Sequence, residues 1–370
     1  MKIALVHDYL IDYGGAEQVL LSLHKIYPKA PIYTLIVDKK GMGKFWKKFA
    51  KAKIITSFFD DLPCASKLIS PLRFLIPVIW KIFALEEYDL IITSASWAVT
   101  KGFDKKRGAK EICYLHTPPR YLYGYDTSRK WKEKWFAKLV EFYALIVNHF
   151  MRLYDFKMAQ KVDYFIANSK NVGKRIEKFY RRDYQVIYPP VEVEEIINSQ
   201  VQPQKGDYFL TGGRFVASKN FDLIIKACLK AGVNLKIFGS GIEEENLKKL
   251  AKGKVEFLGR ISEDKLIASY KGAKAFILAQ KDEDFGMTSV EAQAAGCPVI
   301  AYRGGGYLES IIEGKTGIFF DELKVDSLTP TLKEFNQNEF NKNDLIENAK
   351  RFSKERFMRE IKSFVNSKIK

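Results

Sequence analysis

KAFILAQKDEDFGMTSVEAQAAGCPVIAY, Lys274 to Tyr302, decides how this chain is to be read. A short apolar run, KAFILA, gives way to a charged turn containing glycine. A helical pattern follows Met287, and a second apolar run, CPVIAY, closes the stretch. Strand, helix and strand in that order make two parallel strands joined by a crossover helix. The same alternation occupies most of the chain: KIALV, GAEQVLLSLHKIY and PIYTLIV near the start, then YDLIITS, EICYLH and VDYFIANS. YPPV, Tyr188 to Val191, stops regular structure, and the polar stretch from Glu194 to Asp207 contains Pro203 and Gly206, which predicts a linker. Beyond it the pattern restarts with DYFLTGG, a helix over Asn220 to Ala231, VNLKIFGSG, a helix over Glu243 to Lys252, KVEFLGR and a helix over Asp264 to Gly272. The expected fold class is α/β, with two Rossmann-like doubly wound domains over residues 1–200 and 201–352. The amphipathic tail closes the chain as helices.

Bulk properties agree with two domains. A chain of 370 residues exceeds one ordinary core. With 47% apolar and 28% charged residues, it holds no run near the roughly 18 to 20 apolar residues of a membrane span. MKIALVHDYL reads as a first strand, not a secretion signal, and a cytoplasmic location is expected. Cys64, Cys113, Cys228 and Cys297 are far apart with no CxxC pair, so neither a disulfide nor a metal site is expected. The formal charge of +17 points to an anionic partner. Lys39 to Lys53, KKGMGKFWKKFAKAK, contains no acid, and KKRGAK (Lys105 to Lys110) and RKWKEKWFAK (Arg129 to Lys138) follow. Trp46, Trp131 and Trp135 lie among these lysines, with the apolar CASKLISPLRFLIPVIWKIFAL, Cys64 to Leu85, beside them. Lysines interleaved with aromatics suit an anionic membrane face, and equally a solvated face over a buried apolar stretch. No nucleic-acid recognition motif is present.

Ligands of open α/β sheets bind beyond the carboxyl ends of the strands, so the loops after strands carry the candidate chemistry. After the first strand, HDYLIDYGGAEQVL places Gly14 and Gly15 before a helix, where backbone N–H groups can approach a phosphate. It is not the GxGxxG fingerprint. His116 follows the strand EICYL in HTPPRYLY, positioned to bond a sugar hydroxyl or move a proton. GGRFVASKNFDLII places Arg214 in a loop and Lys219 near a helix start, two cations able to neutralise a diphosphate. In the opening stretch, Thr288-Ser289-Val290-Glu291 has the spacing of a capping box, so Glu291 can be a helix cap. Glu283 has no such duty and is a natural acceptor for sugar hydroxyls.

HDYL and GGAEQVL, HTPPRYLY, GGRFVASKNFDLII, FLGRIS, EDFGMTSVEAQAAGCPVIAY and GGGYLESIIEGKTGIFF together resemble a retaining glycosyltransferase of family 4 with the GT-B fold. Glu283 and Glu291 match its E-x7-E motif, and the wording of HTPPRYLY and RGGGYLES is similar to the mannosyltransferase branch that builds O-antigen and other lipid-linked glycans. The resemblance implies that Arg214 and Lys219 hold the donor diphosphate, helped by Gly15 and by Met287 and Thr288. It implies that Glu291 binds the ribose, that Glu283 with Phe285, Gly286, Met287 and Thr288 contacts the donor sugar, and that His116 lies near the reacting carbon. It implies a nucleotide-sugar donor, best matched to GDP-mannose, a glycan acceptor on polyprenyl diphosphate, and no metal or other cofactor. The protein would then lie on the inner face of the cell membrane, and residues 353–370 would pack as a helix on the N-terminal domain. Four other readings stand beside it, the first being another GT-B transferase that takes a UDP-sugar. Asp282-Glu283-Asp284 as a DxD would hold a metal in a GT-A enzyme. A nucleotide-sugar 2-epimerase shares the two-domain architecture. A non-catalytic basic protein would bind membrane or nucleic acid.

Overall fold

Strands form at the apolar runs and pair in parallel into two sheets in the computed structural model, which describes residues 1–125 and 137–369. The first sheet holds β1 (Ile3–His7), β2 (Ile32–Thr34), β3 (Ile54–Thr56), β4 (Leu90–Ala95), β5 (Lys110–Leu115), β6 (Tyr164–Ala167) and β7 (Tyr184–Val186), in the order β3-β2-β1-β4-β5-β6-β7. The second holds β8 (Phe209–Arg214), β9 (Leu235–Ser240), β10 (Glu256–Gly259), β11 (Phe276–Leu278), β12 (Val299–Tyr302) and β13 (Gly317–Phe320), in the order β10-β9-β8-β11-β12-β13. Each sheet belongs to its own structural unit. Residues 1–125, 137–190 and 355–369 form the first, and residues 191–354 the second.

Both faces of each sheet are covered, which is why the strands read as continuous apolar runs. In β1, Leu5 points into a core with Val19, Leu20 and Leu23 of the helix Gly15–Ile26. Its neighbours Ala4 and Val6 face a second core containing Ile76, Ile79, Trp80 and Met158. Four residues of the closing helix Lys354–Lys368, namely Phe357, Ile361, Phe364 and Val365, are part of the first of these cores. The second unit's core gathers Ile224, Ile225, Leu235, Ile237, Ile277 and Ile300 around its own sheet.

Strand order reverses between β1 and β4 in the first unit and between β8 and β11 in the second. These switch points open crevices at the carboxyl ends of the strands.

In the basic N-terminal stretch the arrangement fits the second of the two readings, lysines on a solvated face over buried apolar groups. Phe45 stacks on Tyr13 with centroids 4.2 Å apart and Trp46 packs against the core, while Lys44, Lys47 and Lys48 are exposed. The aromatics of Lys39 to Lys53 are therefore turned inward. Within Cys64 to Leu85, Ile69, Ile76, Ile79, Trp80 and Leu85 are core, and Phe74, Val78 and Ile82 are exposed. Trp131 and Trp135 lie outside the described residues. The linker expected over Glu194 to Asp207 is in part structured: the helix Val193–Ile197 buries Val193 and Ile196, and the chain enters the second unit at Val191.

Candidate functional site

In the second unit the crevice is built from glycines. Gly213, at φ 128°, pairs with Gly239, at φ 114°, across β8 and β9, and a Cβ on Gly239 would lie 1.8 Å from the Gly213 carbonyl. Only glycine fits at so close an approach. β8 ends at the exposed Arg214, and the chain then makes a one-turn helix, Ala217–Lys219. Asn220 takes the left-handed conformation and its Nδ2 donates to the Ala279 carbonyl at 2.8 Å, just past β11. That bond ties the turn across the switch point and fixes Lys219 above Gly213.

The loop after β11 brings Glu283 to the same place. Its Oε2 lies 3.9 Å from Lys219 Nζ and accepts from the Tyr307 hydroxyl at 3.3 Å. Its carbonyl accepts from Gly306 N at 2.9 Å, and a Cβ on Gly305 would press within 2.5 Å of that carbonyl. Gly304, Gly305 and Gly306 therefore let one loop lie directly on another. Phe285 is buried against Phe352, with centroids 5.1 Å apart.

The helix Met287–Ala294 starts from Gly286, at φ 88°, with no side-chain cap. The capping box expected from Thr288 and Glu291 is absent, because the helix begins one residue before Thr288 and a left-handed glycine turns the chain into it. Ser289 Oγ donates back to the Gly286 carbonyl at 2.7 Å and meets Ser310 Oγ at 2.7 Å. Glu291 is thus left without a capping task. Burial pushes its carboxyl up to about 7 and Glu263 adds to the shift, while the Tyr270 hydroxyl and Lys219 oppose it. Met287 and Thr288 are half-buried in the first turn, where N–H groups lack helical partners.

The first unit has its own constellation at the β1/β4 switch point. His7 Nδ1 lies 3.0 Å from Ser94 Oγ, and Ser94 Oγ lies 2.8 Å from His116 Nε2. All three are buried. A hydroxyl has one proton, so at most one of these two nitrogens accepts it and the other bonds as an N–H donor. The two tautomers are therefore coupled through Ser94. His7 Nε2 faces Glu17 Oε1 at 3.6 Å, which favours the Nε2–H form of His7 and makes its Nδ1 the acceptor. Ser94 then accepts from His116 Nε2–H. The other Glu17 oxygen, Oε2, accepts from Gly14 N at 2.8 Å, so the helix start at Gly15 already holds a carboxylate. Asp8 fastens the loop after β4, accepting from the N–H groups of Ser96 at 3.0 Å and Trp97 at 2.5 Å.

Of the predicted residues, Arg214, Lys219, Glu283, Phe285, Gly286, Met287, Thr288 and Glu291 belong to the second unit, and Gly15 and His116 to the first. The sequence pattern does not single out Tyr307, Tyr270, His7, Glu17 or Ser94. The triple glycine before Tyr307 was the one usable signal; the others stand inside core-like runs. Among the described residues no three His, Cys, Asp or Glu side chains gather as a metal set.

Residues 13–195 match the model of Glycosyltransferase Family 4, and residues 192–352 match that of Glycosyl transferases group 1. The chain belongs to the GT-B glycosyltransferases. An uncharacterized glycosyltransferase of Methanocaldococcus jannaschii is 30% identical over 217 residues, 57% of this chain and 60% of that protein. A mannosylfructose-phosphate synthase of Agrobacterium fabrum is 29% identical over 146 residues, 35% of this chain and 32% of its own length. The glycosyltransferase thus spans less than two thirds of either relative. A solved structure of the Anabaena protein HepE in complex with UDP and glucose is 19% identical, with a TM-score of 0.65 over 99% of this chain and 100% of that one. At that identity the likeness is one of fold.

Proposed function

We propose that this glycosyltransferase is a retaining, metal-independent hexosyltransferase. It takes its sugar from a nucleotide donor, with GDP-mannose the first choice and a UDP-sugar the second. The acceptor is a glycan on polyprenyl diphosphate, used in cell-surface polysaccharide or O-antigen synthesis at the inner face of the membrane. The observation that carries the reading is the meeting of Lys219 and Glu283, 3.9 Å apart, at the β8/β11 switch point that Arg214 borders. Breaking a sugar–phosphate bond leaves new charge on the diphosphate. Arg214, Lys219 and the N–H groups of Met287 and Thr288 are preorganised cationic and dipolar groups that stabilise such charge where it grows. Glu283, steadied by Tyr307, accepts from sugar hydroxyls, and Glu291 from the ribose. The resemblance further assigns His116 to the transferred sugar and Gly15 to the diphosphate. The leaving phosphate takes the acceptor proton as the acceptor attacks the same face of the sugar. The UDP-sugar alternative is favoured by one observation, that HepE, a neighbour in fold, binds UDP and glucose.

A thermal-shift panel of GDP, UDP, GDP-mannose and UDP-glucose tests the donor. The matching nucleotide is expected to stabilise the protein by about 2.7 kcal/mol at one hundred times its Kd. If none of the four moves the melting temperature, the reading fails. Turnover should survive excess EDTA, and trapping of a covalent glycosyl–Glu283 adduct would remove the same-face mechanism.

A further inference from the structure

The helix Ala137–Lys161 buries charge as well as apolar groups on its inner side and exposes large apolar side chains on its outer side. Its inner side carries Asp155, fully buried against Lys101 and accepting from the Tyr123 hydroxyl at 2.7 Å. Asn148, on the same side, accepts from Arg73 Nε at 3.0 Å and donates to the Tyr121 carbonyl at 3.2 Å. These polar contacts pin the rotation of the helix. Its outer side then presents Leu139, Phe142, Leu145, Phe150 and Leu153, exposed at 70, 64, 71, 65 and 58%. At about 100° per residue the five fall within roughly 140° of arc. Of the sixteen exposed large apolar side chains among the described residues, seven lie on this one helix, which makes a continuous patch and not scattered exposure.

We infer that this outer face rests on an anionic lipid bilayer, in the plane of the interface. No helix among the described residues is long and apolar enough to cross a membrane, so the helix would lie on the bilayer and not span it. The exposed charged side chains between the apolar ones are Lys138, Arg152 and Lys157 against one acid, Glu141, which complements anionic headgroups. The same cations disfavour a second copy of the chain, because a two-fold contact would set them against their own images. The inference deepens the membrane-associated reading proposed above and moves its contact from Lys39 to Lys53, where the aromatics are turned inward, to this helix.

The test is co-sedimentation of the full chain with phosphatidylcholine vesicles, with and without about 30% phosphatidylglycerol. Wild type is expected to pellet with the anionic vesicles and much less with the neutral ones. Leu145→Ser with Phe150→Ser should lower that binding by on the order of tenfold or more, and Lys157→Glu should lower it on anionic vesicles. An unchanged melting temperature shows that the variant is folded; should the double variant not fold, Leu139→Ser replaces it. Equal pelleting of variants and wild type overturns the inference, as does equal binding to both vesicle types. A dimer in light scattering that the serine variants dissolve, without vesicle binding, assigns the face to a second copy and overturns it too. No donor is present in these measurements, so a failed nucleotide panel and a failed vesicle assay are separate results.

Discussion

Glu283 and Glu291, eight positions apart in one stretch, stand in different chemistry. Glu291 is raised to about 7 by burial, against 4.5 for an ordinary glutamate. A carboxyl whose pKa rises on folding keeps a proton that the unfolded chain has lost. Its contribution to stability is therefore intact below about 4.5 and falls as pH climbs toward 7. Glu291→Gln removes the penalty. It should raise the melting temperature at pH 8, by on the order of 1 to 3 kcal/mol in stability, and change little at pH 4, while weakening nucleotide binding. Melts at both pH values, with and without nucleotide, check this; an unchanged melt at pH 8 defeats it. Glu283 touches Tyr307 and Lys219 at the crevice, so Glu283→Gln should cost on the order of a hundredfold in kcat with stability altered by less than about 0.5 kcal/mol. Ser94 poses a third test. Ser94→Ala cuts the link between His7 and His116, and 15N spectra of a chain with four histidines should show His116 passing from one tautomer to a mixture, with kcat reduced. A single His116 tautomer in the variant would mean that Ser94 does not set it.

At the scale of elements, the turn into the helix Met287–Ala294 shows what sequence conveys and what it conceals. The strands KAFILA and CPVIAY and the helix between them stand where alternation predicts them, as do the helices Phe221–Ala231, Glu244–Ala251 and Glu263–Gly272 within a residue or so at each end. The S/T-x-x-E spacing points to a cap that does not form, because a helix that starts one residue earlier from a left-handed glycine satisfies it equally. Nothing in the local string separates the two. Gly286→Ala tests the turn: at φ 88° a side chain is strained, and its Cβ would come within 2.8 Å of the Tyr307 ring. The variant should lose about 1 to 3 kcal/mol and, by displacing Tyr307 from Glu283, lose kcat as well. Loss of stability with kcat intact would separate the turn from the site. β3 and β7 were not legible for another reason: they are the two edge strands of the first sheet, with side chains only half-buried or exposed, so neither stands out as an apolar run. The helix Ala137–Lys161 carries apolar groups on both sides, so its outer face became visible only when burial of Asp155 fixed its rotation.

For the whole molecule, the repeated strand–helix alternation made two doubly wound sheets legible, but local pattern does not say which core a distant segment joins. The second unit's two ends are tied together: Val191 N donates to the Phe352 carbonyl and Lys354 N to the Val191 carbonyl, both at 3.0 Å. From Glu355 onward the chain belongs to the first unit. There Phe357 packs edge-on to Tyr114, with centroids 5.7 Å apart, and Arg356 donates to the Tyr188 carbonyl at 2.7 Å. Removing residues 355–370 would strip Phe357, Ile361, Phe364 and Val365 from a core shared with β1, β4 and β5. At about 1.5 to 3 kcal/mol for each buried side chain the loss is on the order of 6 to 12 kcal/mol, comparable to the whole stability of a domain. The truncated chain should therefore show rapid hydrogen exchange throughout β1, β4 and β5 while β8, β11 and β12, whose core contains none of the deleted residues, keep their protection. Protection retained in β1 and β4 would mean that the first sheet stands without its closing helix, and loss in both sheets would mean that the two units do not unfold separately.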